Sequence, residues 1–432
     1  MSNMMKNDIA IKIEKCPQCG AEIPKNSGYI DWCDQCNWNI QPLAPDHPPT
    51  LLESLYLQLG KKFSWNLFEN ISNLPMGRPS FSISRVFAFV LAGLVHSISL
   101  LFVVGGVLVL IENGLHFFSI LLAMPLFLLA WLGLPRFAKE PENIIAREEF
   151  PTLYNLLDTI SNNLGGKKID GVVITPDFNA AFSQIGLSRK SMVFLGLPLF
   201  CVLDEQEKVA LLAHEIAHGV NGDPLRSYFT ATAVNTLVNW AYISRPAGIW
   251  QPFGGDMGCI VTVFMVPVNL LLLGISNLFL ATAYGLMYLI FRDSQRAEYF
   301  ADNIATTVCG TGAMQSMLEK LYLRISVNIA IQWVALTEKG ENIYSAIQNH
   351  VSQIPAREIE RLKRVNLLED ARIDTTHPPT IYRIHILNKH PWEQIKVRLS
   401  SVDSEKINTE LRAMEEAIQK KMVSAYLQSL QR

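Results

Sequence analysis

The chain has 432 residues, 49% of them hydrophobic and 18% charged, with a formal net charge of −2. Soluble domains carry about 25% charged residues, so this composition argues against a purely soluble enzyme and excludes a disordered chain. The missing basic excess argues against a nucleic-acid partner, and seven cysteines are too few for a disulfide scaffold of this size.

A chain of this length is expected to hold two or three domains. Residues 1–15 show no basic stretch followed by an apolar one, so no cleavable signal is read there and the N-terminus is expected in the cytoplasm. Cys16-Pro-Gln-Cys19 and Cys33-Asp-Gln-Cys36 are separated by thirteen residues. Each pair offers two thiolates to one ion, and two such knuckles complete a closed, four-sulfur zinc site of the ribbon type. Gly20 permits the tight turn after the first pair. The competing reading, two disulfides, needs an oxidising compartment. Residues 1–47 hold four Lys, six acidic residues and no Arg, so a contact with a protein partner or a folding role is expected of the ribbon rather than phosphate binding.

Residues 41–50 contain four prolines and read as a linker. Leu51 to Leu74 is apolar and aromatic with Lys61 and Lys62 inside it. Two readings stand open: a helix lying on a membrane surface, or one packed on the soluble part. Val86–Ile111 and Leu115–Leu134 are runs of 26 and 20 residues without a formal charge, each beyond the ~18 apolar residues of a spanning helix. Glu112-Asn113-Gly114 forms the turn between them. Pro141 to Gly166 is predicted helical, Val172–Thr175 and Met192–Leu195 are predicted strands, and Asp204 to His218 is a predicted helix with Asp204 and Glu207 as its capping box. Val209, Leu212 and Ile216 form its buried stripe. Ser227–Ser244 is a weaker spanning segment. Cys259–Phe291 gives 33 uncharged residues, too many for one straight span, so its helix is expected to continue into the soluble domain. Lys and Arg number eight in the first 85 residues and nine in residues 135–226, which places both regions on the cytoplasmic side. With four spans, both termini share that compartment.

His214-Glu215-Ile216-Ala217-His218 places two histidines on one face of the predicted helix, able to bind one zinc ion, with Glu215 beside them to take a proton from water. The third ligand is expected at Glu298, in the charged segment where the last apolar run ends. Asp302 lies one turn further on, placed to accept a hydrogen bond from a ligand histidine.

HEIAH followed by Glu298-x-x-x-Asp302 resembles the gluzincin metallopeptidases, and more narrowly the HtpX and CAAX prenyl protease family of integral-membrane zinc endopeptidases. Local matches are His218-Gly-Val-Asn-Gly-Asp223, Arg292 to Asp302, Thr376-His377-Pro378-Pro379 with Arg383, and Asn179-Ala180-Ala181-Phe182. The resemblance spans roughly residues 80–390. It implies a mainly helical, α+β zincin-like fold embedded in a membrane, with about four transmembrane helices and a small β-sheet; the ribbon looks like a fused module. It further implies zinc on His214, His218 and Glu298, and Glu215 as general base. Substrate would add to an edge strand near residues 180–195, after Asn179, while His377 or Arg383 stabilises the oxyanion or Arg383 anchors its segment. The resulting division is ribbon 1–45, linker and surface helix 46–82, hairpin 83–135, catalytic segment 136–226, two further spans 227–291, and the rest of the catalytic part 292–432.

Two zinc ions follow from this reading, one structural and one catalytic. The expected activity is endopeptidase cleavage of membrane or misfolded proteins at the cytoplasmic face of a bacterial membrane. The alternatives are processing of a specific lipidated peptide, or an inactive scaffold acting through the ribbon. The intact HEIAH and ExxxD patterns speak against the last.

Overall fold

The computed structural model describes residues 13–25, 28–41, 51–72, 83–133, 139–186, 188–246, 258–337, 342–369 and 377–430. Most of the Pro-rich linker, most of the loop 245–258, and Thr376 lie outside these residues. Among the described residues the chain is mainly helical with two small sheets. Strands β1 (Ile13–Lys15) and β2 (Glu22–Pro24) pair antiparallel beside the cysteine knuckles. Helix α1 (Leu51–Ser72) follows. Its Phe68 and Ile71 pack with Tyr299 and Ile386, which favours the packed reading of this segment over the membrane-surface one.

Helices α2 (Ile83–Asn113) and α3 (Phe117–Gly133) form a hairpin around Gly114, whose φ of 71° suits a residue without a Cβ. Then come α4 (Pro151–Asn163), β3 (Gly171–Thr175), β4 (Ala180–Ile185), β5 (Lys190–Gly196), the short α5 (Leu197–Phe200) and α6 (Glu205–Asn221). The helix predicted over 141–166 starts only at Pro151. Proline disfavours a helical conformation in Phe150 before it, and itself suits the first helical turn. The backbone amides of Thr152 and Leu153 find their acceptors in Glu410, at 2.8 and 3.1 Å.

The three-stranded sheet has the order β3-β5-β4, with β5 parallel to β3 and antiparallel to β4. This narrows one expectation, that of an edge strand near residues 180–195. Met192–Leu195 belongs to the central strand, and the edge available to another strand is β4, which the sequence reading had not separated. Gly196 closes the sheet: a Cβ there would lie 1.9 Å from the carbonyl oxygen of Asp177 and 2.2 Å from that of Asn179. Helix α6 packs on this sheet and on α4. Asp204 and Glu207 form its capping box. Its buried residues run unbroken from Glu207 to Ala217, so it is buried all round rather than along one stripe. Leu153, Leu157, Ile174, Leu195, Val209 and Leu212 share its core, each such side chain contributing about 1.5–3 kcal/mol by leaving water.

Helices α7 (Asp223–Ser244) and α8 (Gly258–Cys309) complete the central part. At 52 residues, α8 is about 78 Å long and links two cores. Ala283 and Leu286 pack against α2 and α7, while Ala305 and Val308 enter the core around α6. Helices α2, α3, α7 and α8 meet in one bundle. Trp240 donates to the Leu129 carbonyl, Thr236 to that of Gly133, and Ser276 to that of Ala241, while Gly106 lies against the Phe127 ring. Two of the four, α2 and Met265–Cys309 of α8, are long and apolar enough to cross a membrane. Only 17% of the most apolar window of each is buried, so their apolar faces look outward. Helix α3 has 17 residues: of the predicted run, Leu115 and His116 form the turn and Leu134 lies outside the described residues. The threonines and asparagines of α7 lower its hydropathy. The remaining helices are α9 (Thr311–Lys320), α10 (Arg324–Thr337), α11 (Ile343–Ser352), α12 (Ala356–Glu369), α13 (Thr380–Lys389) and α14 (Ser401–Ser429).

Candidate active site

His214 and His218 stand one turn apart on α6, with imidazole planes at 86°. Glu298 reaches them from α8. The three donor groups form a nearly equilateral triangle. His214 Nε2 lies 3.2 Å from His218 Nε2 and 3.4 Å from Glu298 Oε2, and His218 Nε2 lies 3.4 Å from Glu298 Oε1. Ligand atoms about 2.0–2.1 Å from a tetrahedral ion stand about 3.3 Å apart.

Each imidazole is steered by a carboxylate behind it. His214 Nδ1 is 2.9 Å from Asp302 Oδ1, and His218 Nδ1 is 2.9 Å from Asp223 Oδ2. His218 Nδ1 donates to Asp223 Oδ2, and the Asp302 carboxylate faces the His214 Nδ1 edge; with neutral rings oriented this way, both Nε2 lone pairs turn toward the same point as the Glu298 carboxylate. Facing lone pairs repel, and a cation between them removes the repulsion. The charge balance agrees. Burial, the largest single influence, works against the charged form of both histidines. Asp302 and Glu298 nevertheless leave His214 above its ordinary pKa, and Glu298 and Asp223 leave His218 well above it. The site holds more anionic than cationic groups, so the donor set fits a divalent ion.

Arg383, on α13, is 3% exposed and forks onto Asp302, with Nε 2.7 Å from Oδ2 and Nη2 2.6 Å from Oδ1. The same Nη2 is 3.5 Å from His214 Nε2 and from Glu298 Oε2. Of the two roles considered for Arg383, its best contacts are those of an anchor. His377 stands at the rim, half exposed, with Nδ1 2.8 Å from Glu298 Oε2. Glu215 is buried on α6 next to His214. Asn179 is exposed immediately before β4, and its carbonyl accepts from Gly196. A cavity of about 680 Å³ opens beside the triangle, lined by His218 and Glu298, by Phe182 and Gln184 of β4, and by Phe89 and Phe229 of the bundle.

Asp223 is the residue that sequence reasoning quoted but gave no task. It follows Gly222, which ends α6 at φ 74°, and the resulting chain reversal swings the first residue of α7 back onto His218. The signal was the Gly222-Asp223 pair that begins four residues after the second histidine.

In the ribbon, Cys16 Sγ and Cys36 Sγ are 3.6 Å apart, and Cys19 Sγ and Cys33 Sγ 3.5 Å. These spacings are far beyond the ~2.05 Å of a disulfide. They approach the ~3.8 Å edge of a tetrahedron with bonds of about 2.3 Å to sulfur.

A buried HExxH helix, a glutamate from a second helix, and an adjacent sheet edge define a metallopeptidase of the zincin class. The model of peptidase family M48 matches residues 156–390, and the chain belongs to that family. It is similar to the protease HtpX homologue of Pyrobaculum calidifontis, 23% identical over 250 residues that cover 56% of this chain and 68% of the relative. The homologue of Persephonella marina is 26% identical over 247 residues, covering 56% and 76%. Protease HtpX of Pseudomonas entomophila is 30% identical over 173 residues, covering 38% and 55%. No solved structure matches the chain.

Proposed function

We propose that this metallopeptidase cleaves membrane or misfolded proteins at the cytoplasmic face of a bacterial membrane, with His214, His218 and Glu298 holding its catalytic zinc. The observation that carries the reading is the donor triangle at 3.2–3.4 Å beside a free strand edge. The chemistry a zinc ion supplies at such a site is Lewis acidity toward a carbonyl oxygen and acidification of water.

The chain's own residues do the rest. Substrate lies extended along β4, which among the described residues pairs with β5 on one side only and therefore offers backbone groups to a new strand. Its side chains enter the cavity lined by Phe182, Phe89 and Phe229. Water adds to the scissile carbonyl carbon while Glu215 accepts its proton. The C–N bond then breaks and Glu215 delivers the proton to the leaving nitrogen. His377, at the rim against Glu298, is positioned to donate to the developing oxyanion. Arg383 and Asp302 hold His214 from behind, and Asp223 holds His218.

Four helices, α2, α3, α7 and α8, form the spanning part in this reading. Outward-facing apolar side chains on each, among them Phe87, Leu121, Tyr242 and Leu271, support it. The ribbon holds a second, structural zinc. The ribbon, the hairpin and the two catalytic segments then follow the division at 45, 82, 135, 226 and 291.

Glu215→Gln tests the mechanism. It removes the base and keeps the ligands, so cleavage of a casein-type substrate should fall by a factor on the order of 10² or more while zinc content stays unchanged. Cleavage near the unsubstituted rate would sink the assignment.

A further inference from the structure

The ribbon lies outside the residues matched by the family model, yet it is tied closely to the catalytic part. Its two knuckles share one backbone plan. Cys16 N donates to the Ala21 carbonyl and Gly20 N to that of Cys16; Cys33 N donates to Trp38 and Asn37 N to Cys33. The fourth residue after the first cysteine is left-handed in both, Gly20 at φ 76° and Asn37 at φ 59°. Glycine takes that conformation freely, and asparagine is among the few other residues that visit it routinely. In the second knuckle the asparagine side chain has a use. Its Oδ1 accepts from Arg364 Nη1 at 2.9 Å, and the same nitrogen donates to the Asp34 carbonyl at 2.6 Å.

Arg364 belongs to a row on α12. Arg357, Arg361 and Arg364 lie at i, i+4 and i+7 and so share a face. Arg361 Nη1 donates to the Ile40 carbonyl at 2.7 Å, and Arg357 donates to that of Trp32. The guanidinium groups of Arg357 and Arg364 each sit 4.9 Å from the Trp32 ring centroid, within cation–π range. Trp32 is 1% exposed and packs with Ile40 and Val365. The acidic groups at this contact are Glu358, paired with Arg361 at 2.7 Å, Glu360, paired with Arg364 at 2.9 Å, and Asp34, 3.9 Å from Arg357. Four thiolates around one Zn²⁺ carry a net charge of −2, which suits a face built from three arginines.

Helix α12 in turn packs on α13, which carries Arg383, and the chain between the two helices contains His377. Helix α13 is also held by α1, where the Phe68 ring stacks on Tyr382 at 4.8 Å and Trp65 meets Tyr382 edge-on at 5.9 Å. The N-terminal extension thus grips both helices that flank the His377 segment.

We propose that the partner of the ribbon is this chain's own α12, and that the zinc-loaded second knuckle fixes α12 and, through α13, positions His377 and Arg383; loss of that zinc releases them. This rests on the reading of the four cysteines as a zinc site. The test is amide hydrogen exchange on the full-length protein in detergent micelles, with zinc content measured on the same samples. Three forms are compared: the unsubstituted chain, Cys33→Ser/Cys36→Ser, and Trp32→Ala/Asn37→Gly, which keeps all four cysteines.

The cysteine form should lose one zinc and exchange residues 356–369 and 380–389 roughly tenfold faster, with α6 protected as before. The Trp32→Ala/Asn37→Gly form should show the same acceleration at full zinc content. Zinc content unchanged in the cysteine form would overturn the zinc reading and the proposal with it. One zinc lost with residues 356–369 exchanging at the original rate would overturn the coupling alone. Faster exchange throughout α6 as well would mean general unfolding and would also overturn it.

Discussion

Arg383 and Asp302 form the most fully buried charge pair of the site, at 3% and 1% exposure, joined by two contacts of 2.6 and 2.7 Å. Arg383→Ala leaves the Asp302 carboxylate without its guanidinium, in a region that already holds Glu298. Stranding one member of a buried pair costs about 3–5 kcal/mol. Asp302→Ala strands Arg383 in turn, although Glu298 Oε2, 3.5 Å from Nη2, compensates in part. Removing both charges strands neither. The double variant should therefore be more stable than the sum of the two losses implies, with a coupling of about 2–3 kcal/mol. Arg383→Lys keeps the charge but not the fork and should fall between Arg383→Ala and the unsubstituted chain. The assay is chemical denaturation in detergent followed by tryptophan fluorescence, with zinc content on the same samples. Zinc should be lost along with stability in Arg383→Ala, because Asp302 Oδ1 also orients His214. A loss under about 1 kcal/mol for Arg383→Ala, or strict additivity in the double variant, would refute the anchor role and return Arg383 to the substrate side.

Asp223→Asn should weaken zinc binding about 10–100-fold, read by competition with a chelator; unchanged affinity would reduce Asp223 to a helix-starting residue. Gly219→Ala would place a Cβ 2.5 Å from the Phe182 ring and push that ring along β4, so KM should rise several-fold at constant zinc content, and Phe182→Leu in the same chain should restore it. An unaltered KM in Gly219→Ala would separate Phe182 from substrate binding. A cysteine introduced within 251–258 should react with a membrane-impermeant thiol reagent in intact cells, while one introduced at 342 should not, and the opposite pattern would overturn the cytoplasmic placement of the site.

Much of this was readable from local spacing. HEIAH encodes a shared helical face at four-residue separation, and Glu298 with Asp302 repeats that separation on α8. The two cysteine pairs likewise carry their geometry within a few residues. What was not readable depends on contacts made far along the chain or on a change of direction. Asp223 faces His218 only because Gly222 reverses the backbone. The strand β4, Ala-Ala-Phe-Ser-Gln-Ile, has no strict alternation, and it is the ladder to β5 that makes it a strand and leaves its other edge open.

The bundle shows the same limit from the other side. Hydropathy alone ranks α7 low, because Thr232, Thr236 and Asn239 count against it. In the structure Thr236 and Asn239 donate to the carbonyls of Gly133 and Leu132 at the end of α3, and Thr232 donates to its own helix. The carbonyls at the end of a helix have no partner within it, and in an apolar surround each unsatisfied group costs several kcal/mol. The polar residues of α7 thus answer a need created by α3. A scale that scores each helix separately registers these side chains as a penalty on α7, whereas the energetics belong to the pair. Counted helix by helix, two of the four are long and apolar enough to cross a membrane, while α3 and α7 meet their polar needs through each other.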